Sequence, residues 1–132
     1  MGDRLQWDVD GRDWPNRAWS RFVTVGRLRW HVQVSPGRGE TVLLVHGTGA
    51  STHSWRDLAQ ILATQYRVVA MDLPGHGFTA PLPAGSASLP AIVRELQALL
   101  DHLGLAPQLA IGHSAGAAIV SRMVLDGTLK PR

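Results

Sequence analysis

A serine flanked by two glycines is the part of this sequence whose spacing most clearly suggests covalent chemistry. The segment Gly112-His113-Ser114-Ala115-Gly116 lies between a short apolar stretch, residues 108–111, and a helical pattern over residues 115–125. A serine at such a strand-to-helix bend is lifted out of the sheet, and small flanking residues make the strained backbone possible. The first amide of the helix then points to where a tetrahedral oxyanion would form. We therefore predict Ser114 as a nucleophile and the Ala115 N–H as an oxyanion donor.

A second motif follows a different apolar stretch. Residues 41–45 (Thr-Val-Leu-Leu-Val) are continuously apolar and β-branched, as expected of a strand buried on both faces of a parallel sheet. The stretch ends in His46-Gly47-Thr48-Gly49. In folds that carry a nucleophilic serine on a strand-to-helix bend, the loop after an earlier strand supplies a second oxyanion donor. We assign this donor to the Thr48 amide, and we expect His46 to bind loop backbone rather than act as a general base.

A third motif, Met71-Asp72-Leu73-Pro74-Gly75-His76-Gly77-Phe78-Thr79, comes after a strand pattern over residues 67–70. The glycines on either side of His76 indicate a tight loop. We expect Asp72 to hydrogen-bond this loop rather than act as a catalytic acid, and His76 to lie in the loop or on a pocket wall.

The remaining patterns supply the elements that must position these motifs. A polar arm with several tryptophans precedes a β-hairpin, and strands then alternate with helices, which predicts an α/β fold with a parallel sheet and helices on both faces. All three motifs fall at carboxyl ends of strands, where ligands bind in such sheets. The segments are an arm (1–20), hairpin strands (21–25 and 28–34), helices (55–65, 89–103 and 115–125) and later strands (41–45, 67–70 and 108–111).

Composition limits the classes of protein and of site. A chain of 132 residues with 45% hydrophobic and 17% charged residues is typical of one globular domain. The absence of cysteine excludes disulfides and thiolate metal sites, and we expect no metal and no cofactor. Twelve of the thirteen basic residues are arginines scattered along the chain, so no nucleic-acid-binding stripe is predicted. No apolar stretch is long enough for a membrane span, and four aspartates among the first fifteen residues argue against a secretory signal. A cytoplasmic location is the default expectation.

The three motifs together resemble the α/β-hydrolase superfamily. Within it, the segments Trp14–Arg17, Leu28–Gln33 and His46–Leu58 are similar to the magnesium-chelatase accessory proteins of bacteriochlorophyll biosynthesis. The likeness covers nearly the whole chain. The superfamily motifs are specific to the fold and not to a substrate, whereas the stretch from His46 to Leu58 indicates the subfamily.

This resemblance implies a truncated α/β-hydrolase fold, in which residues 21–132 form the N-terminal half of the domain and residues 1–20 form the arm. It also implies a role beside the chelatase that inserts Mg²⁺ into protoporphyrin IX. Ser114 corresponds to the family's nucleophile, with Thr48 and Ala115 as the oxyanion donors. The partners implied are a small-molecule substrate or a porphyrin, and magnesium-chelatase subunits.

The order of catalytic residues leaves three hypotheses open. In this fold the acid and the histidine follow the serine along the chain, but the residues after Ser114 include one acid, Asp126, and no histidine. The chain can represent the first half of a serine hydrolase, including a generic esterase, and we then expect negligible esterase activity. It can instead be a non-catalytic module that binds a porphyrin or chelatase subunits. It can also be a truncated product that associates through the open edge of its fifth strand.

Overall fold

A computed structural model describes residues 4–131, in which five strands form one mixed sheet in the order β1-β2-β4-β3-β5. The strands are β1 (Ser20–Val25), β2 (Leu28–Val34), β3 (Thr41–Val45), β4 (Arg67–Met71) and β5 (Leu109–Gly112). The helices are α1 (Trp7–Asp10), α2 (Arg56–Leu62), α3 (Leu89–Leu103) and α4 (Ala115–Leu125). Short 3₁₀ turns cover Arg17–Trp19 and Thr52–Trp55.

Strand pairing divides the sheet into an antiparallel and a parallel part. β1 and β2 form the predicted hairpin, whose two-residue turn has Gly26 at φ +62°, a conformation that glycine adopts without strain. β2 also pairs antiparallel with β4, whereas β3 lies parallel to both β4 and β5. The predicted α/β class, with an antiparallel hairpin before a parallel sheet, is confirmed.

The central strands are buried on both faces, as their apolar composition predicts. All five residues of β3 are buried, and successive side chains point to opposite faces of the sheet. Leu43 and Val45 belong to a large core with α3 and α4, while Val42 and Leu44 pack in a smaller cluster with Ala59 of α2. Helices therefore cover both faces of the parallel part.

Local hydrogen bonds mark the boundaries of both α2 and α3. Helix α3 begins after Ser88, whose hydroxyl accepts a hydrogen bond from the Ala91 amide, and it ends at Gly104 in the left-handed region, as predicted. Helix α2 is shorter than the predicted range 55–65. The 3₁₀ turn precedes it, and beyond Leu62 the Thr64 hydroxyl donates to the Ile61 carbonyl, a local bond that competes with helix continuation.

The N-terminal arm packs its aromatic side chains on one end of the sheet. The indole ring of Trp7 lies 5.3 Å from the Phe22 ring and 4.9 Å from the Phe78 ring. The Trp14 ring lies 4.7 Å from the Phe78 ring. The arm contains the helical turn α1 and the 3₁₀ turn Arg17–Trp19. In residues 4–131 no helix is long and apolar enough to cross a membrane.

Candidate active site

Ser114 occupies a sharp bend between β5 and α4. Its backbone lies at φ +57° and ψ −119°, a sparsely populated region that costs roughly 1–3 kcal/mol for a residue with a side chain. Ser114 is the N-cap of α4, yet its side chain makes no capping hydrogen bond. An N-cap serine ordinarily accepts one from an amide of the first turn. The bend instead leaves the side chain exposed and its hydroxyl available to another molecule.

The glycines on either side of Ser114 are required by close backbone approaches. A Cβ on Gly116 would collide with the Val45 carbonyl oxygen, and a Cβ on Gly112 would lie 2.5 Å from the Gly116 carbonyl oxygen. Neither glycine has positive φ, so both serve to make room and not to adopt an unusual backbone conformation. The His113 amide donates to the Val45 carbonyl at 3.1 Å, which holds the bend against the end of β3.

The loop over residues 46–52, hereafter the 46–52 loop, lies against this bend. A Cβ on Gly47 would lie 2.9 Å from the Cβ of Ser114, so the two segments are in close contact. The Ala50 amide donates to the Gly47 carbonyl at 3.1 Å, with Gly49 at φ +80°, as in a type II turn. Thr48 is exposed, and among the described residues neither its amide nor that of Ala115 has a hydrogen-bond acceptor.

His46 binds backbone on both sides of its ring. Its Nδ1 lies 2.7 Å from the Gly47 carbonyl oxygen, and its Nε2 accepts the Leu73 amide at 2.9 Å. Burial lowers the pKa of the His46 imidazole, and the nearby His76 ring lowers it further, although the Gly47 carbonyl opposes both. The neutral ring therefore donates from Nδ1, and His46 supports the loop in the way that the sequence predicts.

Asp72 is fully buried and binds more than its own loop. Its Oδ1 accepts the Thr52 amide at 2.8 Å, and its Oδ2 accepts the Phe78 amide at 2.9 Å. These bonds agree with the predicted loop-binding role. The Nδ1 of His31, also fully buried, lies 2.7 Å from the same Oδ2.

His31 and its neighbours form a buried network that the sequence motifs do not predict. The Nε2 of His31 lies 2.8 Å from the Ser20 hydroxyl, which also accepts the Gln33 side-chain amide at 3.1 Å. The order Asp72, His31, Ser20 is that of a catalytic triad, but His31 is fully buried and packs beside Trp7 and Phe78, so the chain of bonds is structural. His31 and Gln33 alternate with apolar residues in a strand that is buried on both faces, which is the one sequence signal for this network.

A small cavity opens beside the Ser114 bend. Its volume is about 240 Å³, and it is lined by His46, Gly47, Ala50, Ser54, Trp55 and His113. No described side chain hydrogen-bonds to the Ser114 hydroxyl, and residues 4–131 contain no group of three or more histidines and carboxylates that could hold a metal ion. Among the described residues, Ser114 thus lies against Gly47 and beside this cavity, and no imidazole is hydrogen-bonded to its hydroxyl.

A larger cleft lies elsewhere on the molecule. It has a volume of about 620 Å³ and lies between the arm and the hairpin, where Trp7, Phe22 and Arg29 form part of its wall. None of the three predicted site residues lines either cavity. We place the candidate site at the smaller one, because Gly47 and His113, the chain neighbours of Thr48 and Ser114, line it.

Comparison with known proteins is consistent with this geometry. A family model described as the alpha/beta hydrolase fold matches residues 40–130. The "Magnesium-chelatase 30 kDa subunit" of Rhodobacter capsulatus is 39% identical over 115 residues, which cover 86% of this chain and 40% of that protein. The "Pimeloyl-[acyl-carrier protein] methyl ester esterase" of Vibrio cholerae is 41% identical over 100 residues, covering 74% of this chain and 35% of the esterase.

Solved structures show the same fold. The crystal structure of the epoxide hydrolase VrEH1 from Vigna radiata superposes with a TM-score of 0.73 at 33% identity, covering 80% of this chain and 35% of the enzyme. The chain therefore spans about 35–40% of the length of these three proteins. The family model covers well over half of this chain, and the chain belongs to the alpha/beta hydrolase fold family.

Proposed function

We propose that Ser114 is the nucleophile of an acyl-transfer site, with the amides of Thr48 and Ala115 as its oxyanion donors. One observation carries the proposal. The serine is held in a strained conformation at a helix N-terminus, yet its hydroxyl caps nothing and is exposed. Strain of this kind persists only where the surrounding structure imposes it, and it is concentrated at functional sites.

In the proposed reaction the Ser114 Oγ attacks the carbonyl carbon of an ester. A carbon–oxygen bond forms as the carbonyl π bond breaks, the resulting oxyanion accepts hydrogen bonds from the two amides, and the hydroxyl proton passes to a base. Collapse of this intermediate breaks the bond to the alkoxide, which takes up that proton and leaves as the alcohol, with the acyl group on the Ser114 Oγ. No described imidazole hydrogen-bonds to Ser114, and a serine hydroxyl without a base is a weak nucleophile at neutral pH. We therefore expect negligible turnover of p-nitrophenyl acetate by the 132-residue chain. Turnover that Ser114→Ala abolishes would contradict this expectation.

A cysteine probe tests the nucleophile position without needing a base. The chain contains no cysteine, so Ser114→Cys introduces a single thiol. The matched control is Ser121→Cys, an exposed position within α4. We measure acylation by p-nitrophenyl acetate and alkylation by iodoacetamide for each thiol, with the unmodified chain as background.

The oxyanion amides stabilise the tetrahedral intermediate of acylation but have no role in alkylation. We expect the ratio of acylation to alkylation to be at least about tenfold higher for the thiol at 114 than at 121, since one oxyanion donor contributes roughly 10²–10³ in an intact site. Equal ratios at the two positions would refute the proposed site.

A second candidate function is a non-catalytic module that binds a porphyrin or chelatase subunits. It is favoured by the 39% identity to the magnesium-chelatase 30 kDa subunit and by the lack of a described base beside Ser114. Titration with protoporphyrin IX, followed by tryptophan fluorescence, tests it. Saturable quenching that Ser114→Ala leaves unchanged would support this candidate, and quenching no greater than that of free tryptophan would exclude porphyrin binding by this chain.

A further inference from the structure

The 46–52 loop is held at both ends by consecutive residues that follow β4. At its start, the Leu73 amide donates to His46 Nε2 at 2.9 Å. At its end, the Asp72 Oδ1 accepts the Thr52 amide at 2.8 Å. The exposed residues Thr48 and Gly49 lie between these two anchors.

A third anchor comes from the N-terminal arm. The indole Nε1 of Trp14 donates to the Thr52 hydroxyl at 2.9 Å, across 38 positions of sequence. Thr52 is almost completely buried, and the Trp14 ring is wedged against the rings of Phe78 and His53 at 4.7 and 5.2 Å. Packing therefore fixes the position of the Trp14 indole ring and of its N–H donor.

Two bonds to one residue constrain it differently from one bond. The Asp72 bond holds the amide of Thr52, and the Trp14 bond holds its side chain. The two bonds together restrict the direction of the backbone that leads back to Thr48. Oxyanion donors are sensitive to such orientation, because an error of about 1 Å can cost about a hundredfold in rate.

We propose that Trp14 is a positioning residue for the Thr48 amide and acts through the Thr52 hydroxyl. This inference rests on the proposed function, since it assumes that the Thr48 amide is an oxyanion donor. The N-terminal arm would then help to position the oxyanion site as well as cover the sheet. Trp14 touches neither the nucleophile nor a substrate, so its effect passes entirely through the loop.

The test uses the single-cysteine chain that carries Ser114→Cys. Trp14→Phe keeps a ring but removes the N–H donor, and Thr52→Val keeps the shape but removes the acceptor. We expect each to lower the rate of acylation by p-nitrophenyl acetate about tenfold and to change alkylation by iodoacetamide less than twofold. The double variant should lose no more than the larger single loss, because both changes break the same bond.

Two controls separate positioning from a general loss of structure. Thr52→Ser retains the hydroxyl that Thr52→Val removes, and its acylation rate should equal that of the chain carrying Ser114→Cys alone. Trp19→Phe makes the same chemical change at another arm tryptophan, which packs on the smaller core cluster that contains Ala59, and should leave both rates unchanged.

The results separate a failure of the positioning role of Trp14 from a failure of Ser114 as the proposed nucleophile. Unchanged acylation in both Trp14→Phe and Thr52→Val would overturn the role of Trp14 while leaving Ser114 as the proposed nucleophile. Equal loss of acylation and alkylation would also overturn it, because general access or folding would then be affected. If Ser114→Cys shows no advantage over Ser121→Cys, the proposed function itself fails.

Discussion

Replacement of Asp72 by asparagine tests the buried network that joins the arm, the sheet and the 46–52 loop. The two carboxylate oxygens accept three donors, namely the amides of Thr52 and Phe78 and the Nδ1–H of His31. An asparagine side chain has one oxygen and one NH₂ group. In either orientation, the NH₂ group faces at least one N–H donor that has no other acceptor.

The magnitude follows from the number of bonds lost. A buried donor left without an acceptor typically costs about 1–3 kcal/mol. With three bonds to the carboxylate affected, we expect a loss of about 3–5 kcal/mol, which is a large fraction of a net stability of about 5–15 kcal/mol. For a chain of this length, about 4 °C of melting temperature corresponds to 1 kcal/mol, so we expect Asp72→Asn to lower the melting temperature by about 12–20 °C at pH 7. Asp57, whose side chain is 91% exposed, provides the control. Asp57→Asn should change the free energy of unfolding by no more than about 0.5 kcal/mol.

The pH dependence gives the same prediction a second, independent readout. Burial alone would raise the pKa of the Asp72 carboxyl, but its hydrogen bond to His31, the charge of His31 and the Phe78 and Thr52 amides outweigh burial and lower it. A carboxyl with a lowered pKa in the folded state contributes stability above its unfolded pKa of about 3.9 and loses that contribution as the pH falls through the folded value. The difference in melting temperature between the unmodified chain and Asp72→Asn should therefore become smaller as the pH falls from 5 to the lowest pH at which the chain still folds.

Thermal unfolding followed by circular dichroism measures both effects. A melting temperature for Asp72→Asn within about 3 °C of the unmodified chain at pH 7 would refute the reasoning. A large difference in melting temperature that stays constant as the pH is lowered below 5 would show that the charge of the Asp72 carboxylate is not its source.

Three further predictions concern the bend, His46 and the sheet edge. Gly116→Ala should lower the free energy of unfolding by about 3 kcal/mol in denaturant unfolding, because the alanine Cβ would collide with the Val45 carbonyl. Since alanine is ordinarily more stable than glycine within a helix, a gain in stability would contradict the close approach. The His46 ring should become charged in an NMR titration only at a lower pH than an unfolded histidine, whose pKa is about 6.5, because burial lowers the His46 pKa; a midpoint at or above that of an unfolded histidine would be the contrary result. Strand β5 pairs with β3 alone among the described strands, so the isolated chain should associate in size-exclusion chromatography, and Ile111→Lys at this edge should reduce the association; a monodisperse monomer before substitution would refute it.

Local signals in the sequence predicted most of the elements. Ser88 and Gly104 bracket α3 as a capping hydroxyl and a left-handed terminus, and both act on backbone within a few residues. The hairpin turn and the uniformly apolar β3 were predictable for the same reason. The bend at Ser114 could also be located, because its glycines are needed wherever a helix starts directly at a strand end.

The tertiary structure decided which distant segments meet. Nothing in the sequence places β2 beside β4, yet that pairing brings His31 to Asp72 across 41 positions. The 3₁₀ turn over Thr52–Trp55, which precedes α2, begins at an amide that is bound by a carboxylate twenty residues away. Local composition encodes capping, turns and burial, because these act between near neighbours. The pairing of buried polar groups is set by strand order, which depends on how the whole sheet buries its two faces.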